Sequence, residues 1–172
     1  MQEKIKALRR SLKTKEELNY LNYIEEHYNN VQKAWLLIQD KCKHFSFITD
    51  DWLFNQLDND IKNHDLSKLS KNEFSQYRQF FYPANDKEED KSLYDKAWEH
   101  HKKHNNHHWQ TWTKYSNRTN QELALLHNIC DWVAMGFMFE DTAKEYYENN
   151  KKGIKMPQWA IVYMYKIFDC IY

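Results

Sequence analysis

Apolar positions in this chain recur every three or four residues over most of its length, which is the period of an α-helix. The clearest run follows Thr14, where Ile24, Tyr28, Val31, Trp35 and Ile38 mark one face of a long helix, and His27 falls on that face. Thr14 with Glu17, Ser70 with Glu73, and Thr119 with Glu122 all have the capping-box spacing that opens a helix. A second helix is predicted over 50–63, with Trp52, Leu53, Leu57 and Ile61 facing inward. It stops near Asn63-His64-Asp65, and another starts after Ser70. Pro83 and the charged run Asp86 to Lys91 predict an exposed loop. The next helix carries Leu93, Tyr94, Ala97, Trp98 and His101 and breaks at Asn105-Asn106, two adjoining residues of low helix propensity. An aromatic segment over 107–115, a helix over 119–138, and a last one over 158–172 beyond Gly153 and Pro157 complete the pattern.

Composition supports the helical reading. Two glycines and two prolines in 172 residues leave little material for tight strand turns or glycine-rich phosphate loops, and no GxGxxG or Walker-type motif occurs. The expected fold is all-α, a helical bundle in one domain over 1–172. A mean hydropathy of -1.00 would suit disorder, but 41% hydrophobic and 16% aromatic residues supply a core.

Charge and cysteine content exclude some partners. Twenty-five basic and twenty-five acidic residues cancel, which removes the simplest argument for nucleic-acid binding. Cys42, Cys130 and Cys170 form no CxxC pair and are odd in number, as in a reducing cytoplasm rather than a disulfide framework. Met1 to Arg10 lacks an apolar signal core. The longest apolar run, Trp132 to Phe139, falls well short of the roughly 20 residues that span a bilayer. A soluble cytoplasmic protein without a membrane partner is expected. The segments Tyr146-Tyr147 and Trp159 to Tyr172 either close the bundle or form a homo-oligomer contact.

The candidate chemistry lies in the histidines. Five of nine fall within 100–108, His64-Asp65 lies upstream, and Asp131 lies downstream. Imidazole and carboxylate are the usual ligands of zinc, iron and manganese. The candidate ligands are His27, His64, Asp65, His101, His107, His108 and Asp131, dispersed over several elements, as a metal site in a helical bundle requires. His101 and His108 are seven apart, two turns on one face, while a break at Asn105-Asn106 would turn His107 inward as well. His100 and His104 are expected at the surface or behind the ligands, and His127, one turn before Asp131, as a structural histidine or one behind the ligands. Trp98, Trp109 and Trp112 are expected in the core rather than stacked on a base.

This order of histidine, His-Asp, further histidines and a distal aspartate resembles the ligand order of the HD-domain superfamily of metal-dependent phosphohydrolases. His64-Asp65-Leu66-Ser67-Lys68 looks like its HDxGK-type segment, with Ser67 in place of the commoner glycine. More narrowly, that segment with Glu73-Phe74 and Tyr77, then His101, Asn105 and His107-His108-Trp109, then Asp131-Trp132 and Ala134-Met135, resembles a family of small phage and bacterial proteins without an established activity. The match covers roughly residues 20 to 135.

The superfamily resemblance implies an HD-like fold and specific roles. His27, His64, Asp65 and Asp131 would hold a first metal, and Asp65 would bridge to a second held by His101 with His107 or His108. One or two divalent transition ions are implied (manganese, iron, cobalt, zinc or nickel), with metal-activated water attacking phosphorus. Asp65, Lys68 and Glu73 are the candidate catalytic residues: Lys68 to meet a phosphate, with Arg78 a weaker candidate, and Glu73 to orient water or cap the helix begun by Ser70. The implied substrate is a nucleotide or related small phosphate ester, and the compartment the cytoplasm (the host's for a phage protein). Two alternatives stay open: an HD-fold di-iron oxygenase, and a non-catalytic, metal-containing module that binds a nucleotide or a protein.

Overall fold

In the computed structural model the face predicted after Thr14 forms the 27-residue helix α2 (Lys15–Lys41). Its start is a capping box: the Glu17 amide donates to Thr14 Oγ1 at 3.2 Å and the Thr14 amide donates to Glu17 Oε2 at 3.1 Å. The structure describes residues 1–84 and 90–172, so the predicted loop over Asp86 to Lys91 falls outside the described residues from Asp86 to Glu89. The described residues form α-helices and one 3-10 turn, with no strand. The fold class is all-α.

The chain packs as two compact units, Met1–Tyr28 with Asn63–Asn105, and Asn29–Lys62 with Asn106–Tyr172. The first contains α1 (Gln2–Arg9), the opening turns of α2, a 3-10 turn (Leu66–Leu69), α5 (Phe74–Phe81) and α6 (Lys91–His104). Ile5, Tyr20, Leu21, Ile24, Phe74, Tyr77 and Ala97 form its buried apolar cluster. α1 carries a single buried residue, Ile5, among charged neighbours, so its periodic signal is faint in sequence. α5 packs along α6.

The second unit contains the rest of α2, then α3 (Ser46–Thr49), α4 (Asp51–Lys62), α7 (Trp109–Trp112), α8 (Arg118–Phe139), α9 (Ala143–Asn150) and α10 (Gln158–Ile171). α8 packs against α4, α7, α9 and α10 and is buried on almost every side from Leu123 to Ala134, as expected for a helix with no single polar face. Trp112 lies fully buried in this core, consistent with a packing role.

Three local expectations are corrected. Trp52, expected inward, is 57% exposed, whereas Leu57 and Ile61 are buried; Leu53, Leu57 and Ile61 form one stripe, and Trp52 sits about 100° away from it. α8 begins at Arg118, capped by Asn117 Oδ1 on the Asn120 amide at 3.0 Å, so Thr119 and Glu122 form no capping box. α5 begins at Phe74 rather than just after Ser70, and no side-chain cap bond opens it. The break after His101 falls where expected: α6 ends at His104, and Asn105 is extended.

Candidate metal centre

The first unit's site is built at the chain turn that follows His64. Asp65 adopts φ 54° and ψ 23°, the left-handed region. Asp65 and Glu140 are the non-glycine residues with positive φ among those described. Aspartate visits this region more readily than most side chains, yet it still costs on the order of 1 kcal/mol. The conformation starts the 3-10 turn, in which the Lys68 amide donates to the Asp65 carbonyl at 2.9 Å. It also brings the Lys68 ammonium to 2.7 Å from Asp65 Oδ2.

Three imidazoles converge on the Asp65 carboxylate through their Nε2 atoms. His64 Nε2 lies 3.2 Å and His27 Nε2 3.6 Å from Oδ2, and His101 Nε2 lies 3.2 Å from Oδ1. His27 and His64 bring their Nε2 atoms within 2.9 Å of each other. All four residues are buried, with Asp65 3% exposed. Burial alone would raise the Asp65 carboxyl, but the His64, Lys68 and His101 charges outweigh it and hold the group well below the usual carboxylate range. Burial would likewise lower His101, yet the charge and hydrogen bonding of Asp65, with the bond to Glu73, raise it above the ordinary histidine value.

Behind His101 lies Glu73, completely buried. Its Oε2 is 2.8 Å from His101 Nδ1, and its Oε1 is 2.6 Å from His100 Nδ1. Burial would raise this carboxyl, but hydrogen bonds from His101, His100 and Ser67 keep it below the ordinary glutamate value. Glu73 was expected to orient water or to cap a helix with Ser70. Its carboxylate faces two histidines, and no side-chain cap bond opens α5. The shared three-residue spacing of a capping box concealed this in sequence.

The donor set fits a metal ion. Imidazole nitrogens facing a carboxylate across about 3 Å suit borderline divalent ions such as zinc, iron, cobalt or manganese. Buried histidine and aspartate groups of this chain stand close enough together to hold one.

A family model matches residues 16–164. The chain belongs to DUF5662, a family of unknown function. No curated protein and no solved structure matches it. The matched span of this DUF5662 member includes every candidate ligand named above, together with Lys68 and Glu73.

The second unit carries the other candidates. His107 and His108 occupy the turn before α7, with ring centroids 4.2 Å apart. His127 and Asp131 stand one turn apart on α8. His127 packs its ring 4.4 Å from that of His107, and Asp131 Oδ2 lies 4.0 Å from His107 Nε2. His107 and His127 are buried. His127 therefore joins a histidine cluster, one turn before Asp131.

His100, expected at the surface or behind the ligands, is half-buried and shares the Glu73 carboxylate behind His101. His104 is exposed, with Nδ1 2.8 Å from the His100 carbonyl. Asn105 had no assigned side-chain role. Its amide donates to Ser67 Oγ at 2.7 Å and to the His101 carbonyl at 2.9 Å, tying the end of α6 to the 3-10 turn. The four-residue interval from His101 was a sequence signal for this contact.

Proposed function

We propose that this protein is a metal-dependent phosphohydrolase acting on a nucleotide or a related small phosphate ester. The observation that carries the reading is the convergence of His27, His64 and His101, each through Nε2, on an Asp65 carboxylate that also faces the Lys68 ammonium. The ligand order resembling the HD-domain superfamily supports the same chemistry.

His27, His64, Asp65 and His101 would hold a divalent transition ion, which when bound supplies Lewis-acid chemistry toward water and phosphoryl oxygens. Asp65 anchors the centre: its left-handed backbone fixes the carboxylate, and the ionised form presents two oxygens, each facing at least one imidazole. Lys68 places a point charge beside that carboxylate, with its side chain 16% exposed. A phosphate dianion approaching the centre meets this charge, and the ammonium offsets part of its repulsion by Asp65. A cation beside the ligands favours phosphate over dioxygen as the substrate, because dioxygen brings no charge to neutralise.

The test is a screen of nucleoside mono- and triphosphates, cyclic dinucleotides and model phosphoesters with manganese, iron or cobalt. Phosphate release that requires the metal, disappears in Asp65→Asn and shows a raised KM in Lys68→Met is expected. Silence across the panel, together with oxygen uptake in the presence of reduced iron, would assign the centre to oxygen chemistry instead.

A further inference from the structure

We propose that Glu73 is a positioning residue that aims His101 at Asp65 by clamping His101 and its neighbour His100 through their Nδ1 atoms. The consequence for metal binding rests on the reading just given; the clamp itself stands on the hydrogen-bond geometry.

An ionised carboxylate only accepts hydrogen bonds. The contacts of 2.6 Å to His100 Nδ1 and 2.8 Å to His101 Nδ1 therefore require a hydrogen on each of those nitrogens. Adjacent side chains on a helix diverge by about 100°, so two consecutive imidazoles meet one acceptor only if it sits between them. Glu73, at the start of α5 where that helix packs on α6, occupies that place.

The neighbouring groups agree with this polarity. Asn105 Nδ2 lies 3.1 Å from His101 Nδ1. Its two amide hydrogens are taken by Ser67 Oγ and the His101 carbonyl, leaving the Nδ1 hydrogen to Glu73. On His100, Nε2 accepts from Asn72 Nδ2 at 3.2 Å, which again puts the ring hydrogen on Nδ1. The His101 ring is held by Trp98, stacked at 5.8 Å, and by the Tyr77 ring edge-on at 6.1 Å.

With Nδ1 committed to Glu73, Nε2 is the His101 atom that faces Asp65 Oδ1 at 3.2 Å. The arrangement is a carboxylate–histidine pair of the kind that fixes the tautomer of a metal-ligating imidazole and raises its basicity. It is doubled here, because one buried carboxylate serves two histidines. His100 takes up the second oxygen of Glu73 at 2.6 Å.

The test is long-range proton–nitrogen NMR on the metal-free chain with labelled histidine, with metal titration of the variants alongside. In the wild type, His101 in its neutral form should carry its hydrogen on Nδ1, as should His100. Glu73→Gln offers one acceptor oxygen in place of two and should weaken cobalt or zinc binding by about 10- to 100-fold, with the helical circular dichroism retained. His100→Ala should weaken it less, and Glu73→Asp, which keeps the charge but shortens the reach, should restore part of the loss. A neutral wild-type His101 with its hydrogen on Nε2 overturns the proposal, as does a folded Glu73→Gln that binds metal as the wild type does. If the wild type bound no metal at all, the function proposed above would fail, and the histidine spectra would still decide the role of Glu73. Should a Glu73 variant fail to fold, the wild-type spectra decide alone.

Discussion

His101 Nε2 stands 3.2 Å from Asp65 Oδ1, and the histidine comes from α6 while the aspartate opens the 3-10 turn. A neutral imidazole whose other nitrogen donates to Glu73 meets that oxygen acceptor to acceptor. Such a contact is repulsive unless a proton or a metal ion lies between the two atoms. In the metal-free chain Asp65 therefore favours the protonated imidazole and raises the His101 pKa.

The pH dependence follows from this pair. His101 is raised, so its contribution to stability is fully present below the unfolded histidine value of about 6.5 and is lost as pH climbs through the folded value. Asp65 is depressed, so its contribution is present above an unfolded value of about 3.9 and is lost only in stronger acid. The metal-free chain should therefore melt at a lower temperature as pH rises past neutrality. Metal binding releases the competing proton, so the stabilisation produced by added zinc or cobalt should grow over the same range. Melting curves with and without chelator, across mildly acidic to mildly alkaline buffers, check both slopes.

The backbone at Asp65 makes a separate prediction. Both Asp65→Gly and Asp65→Ala remove the carboxylate, but only alanine is strained at φ 54°. In denaturant titrations of the metal-free variants, Asp65→Ala should be less stable than Asp65→Gly by about 1 kcal/mol. Equal stability would show that the left-handed turn is not retained once the carboxylate is gone.

Gly136 tests the packing of the second unit without touching its histidines or Asp131. A Cβ there would run into the Asp141 backbone carbonyl, where the chain turns out of α8 through the left-handed Glu140. Gly136→Ala should cost about 1–3 kcal/mol, read as a lower melting temperature. Metal affinity at the Asp65 centre should stay within about twofold of wild type, since the substitution removes no ligand.

Much of this was legible in sequence because helix period reports burial. His27 sits on the same stripe as Ile24 and Val31 and is buried with them, and His101 shares the inward face of α6 with Ala97. The end of α4 before His64 was also legible. The partners of Glu73 were not. Its three-residue interval from Ser70 imitates a cap, and its real partners lie 27 and 28 residues away, a pairing set by how α5 packs on α6. The left-handed Asp65 was hidden as well, because leucine follows it and no glycine marks the turn.

The most direct test of the central claim is the metal content of the native protein, purified without chelator or histidine tag. Elemental analysis should find at least about one transition-metal ion per chain, retained through dialysis, and lost in Asp65→Ala and His64→Ala. A folded wild-type chain that carries no metal, takes none up from added manganese, iron, cobalt or zinc, and is unchanged by Asp65→Ala would contradict it.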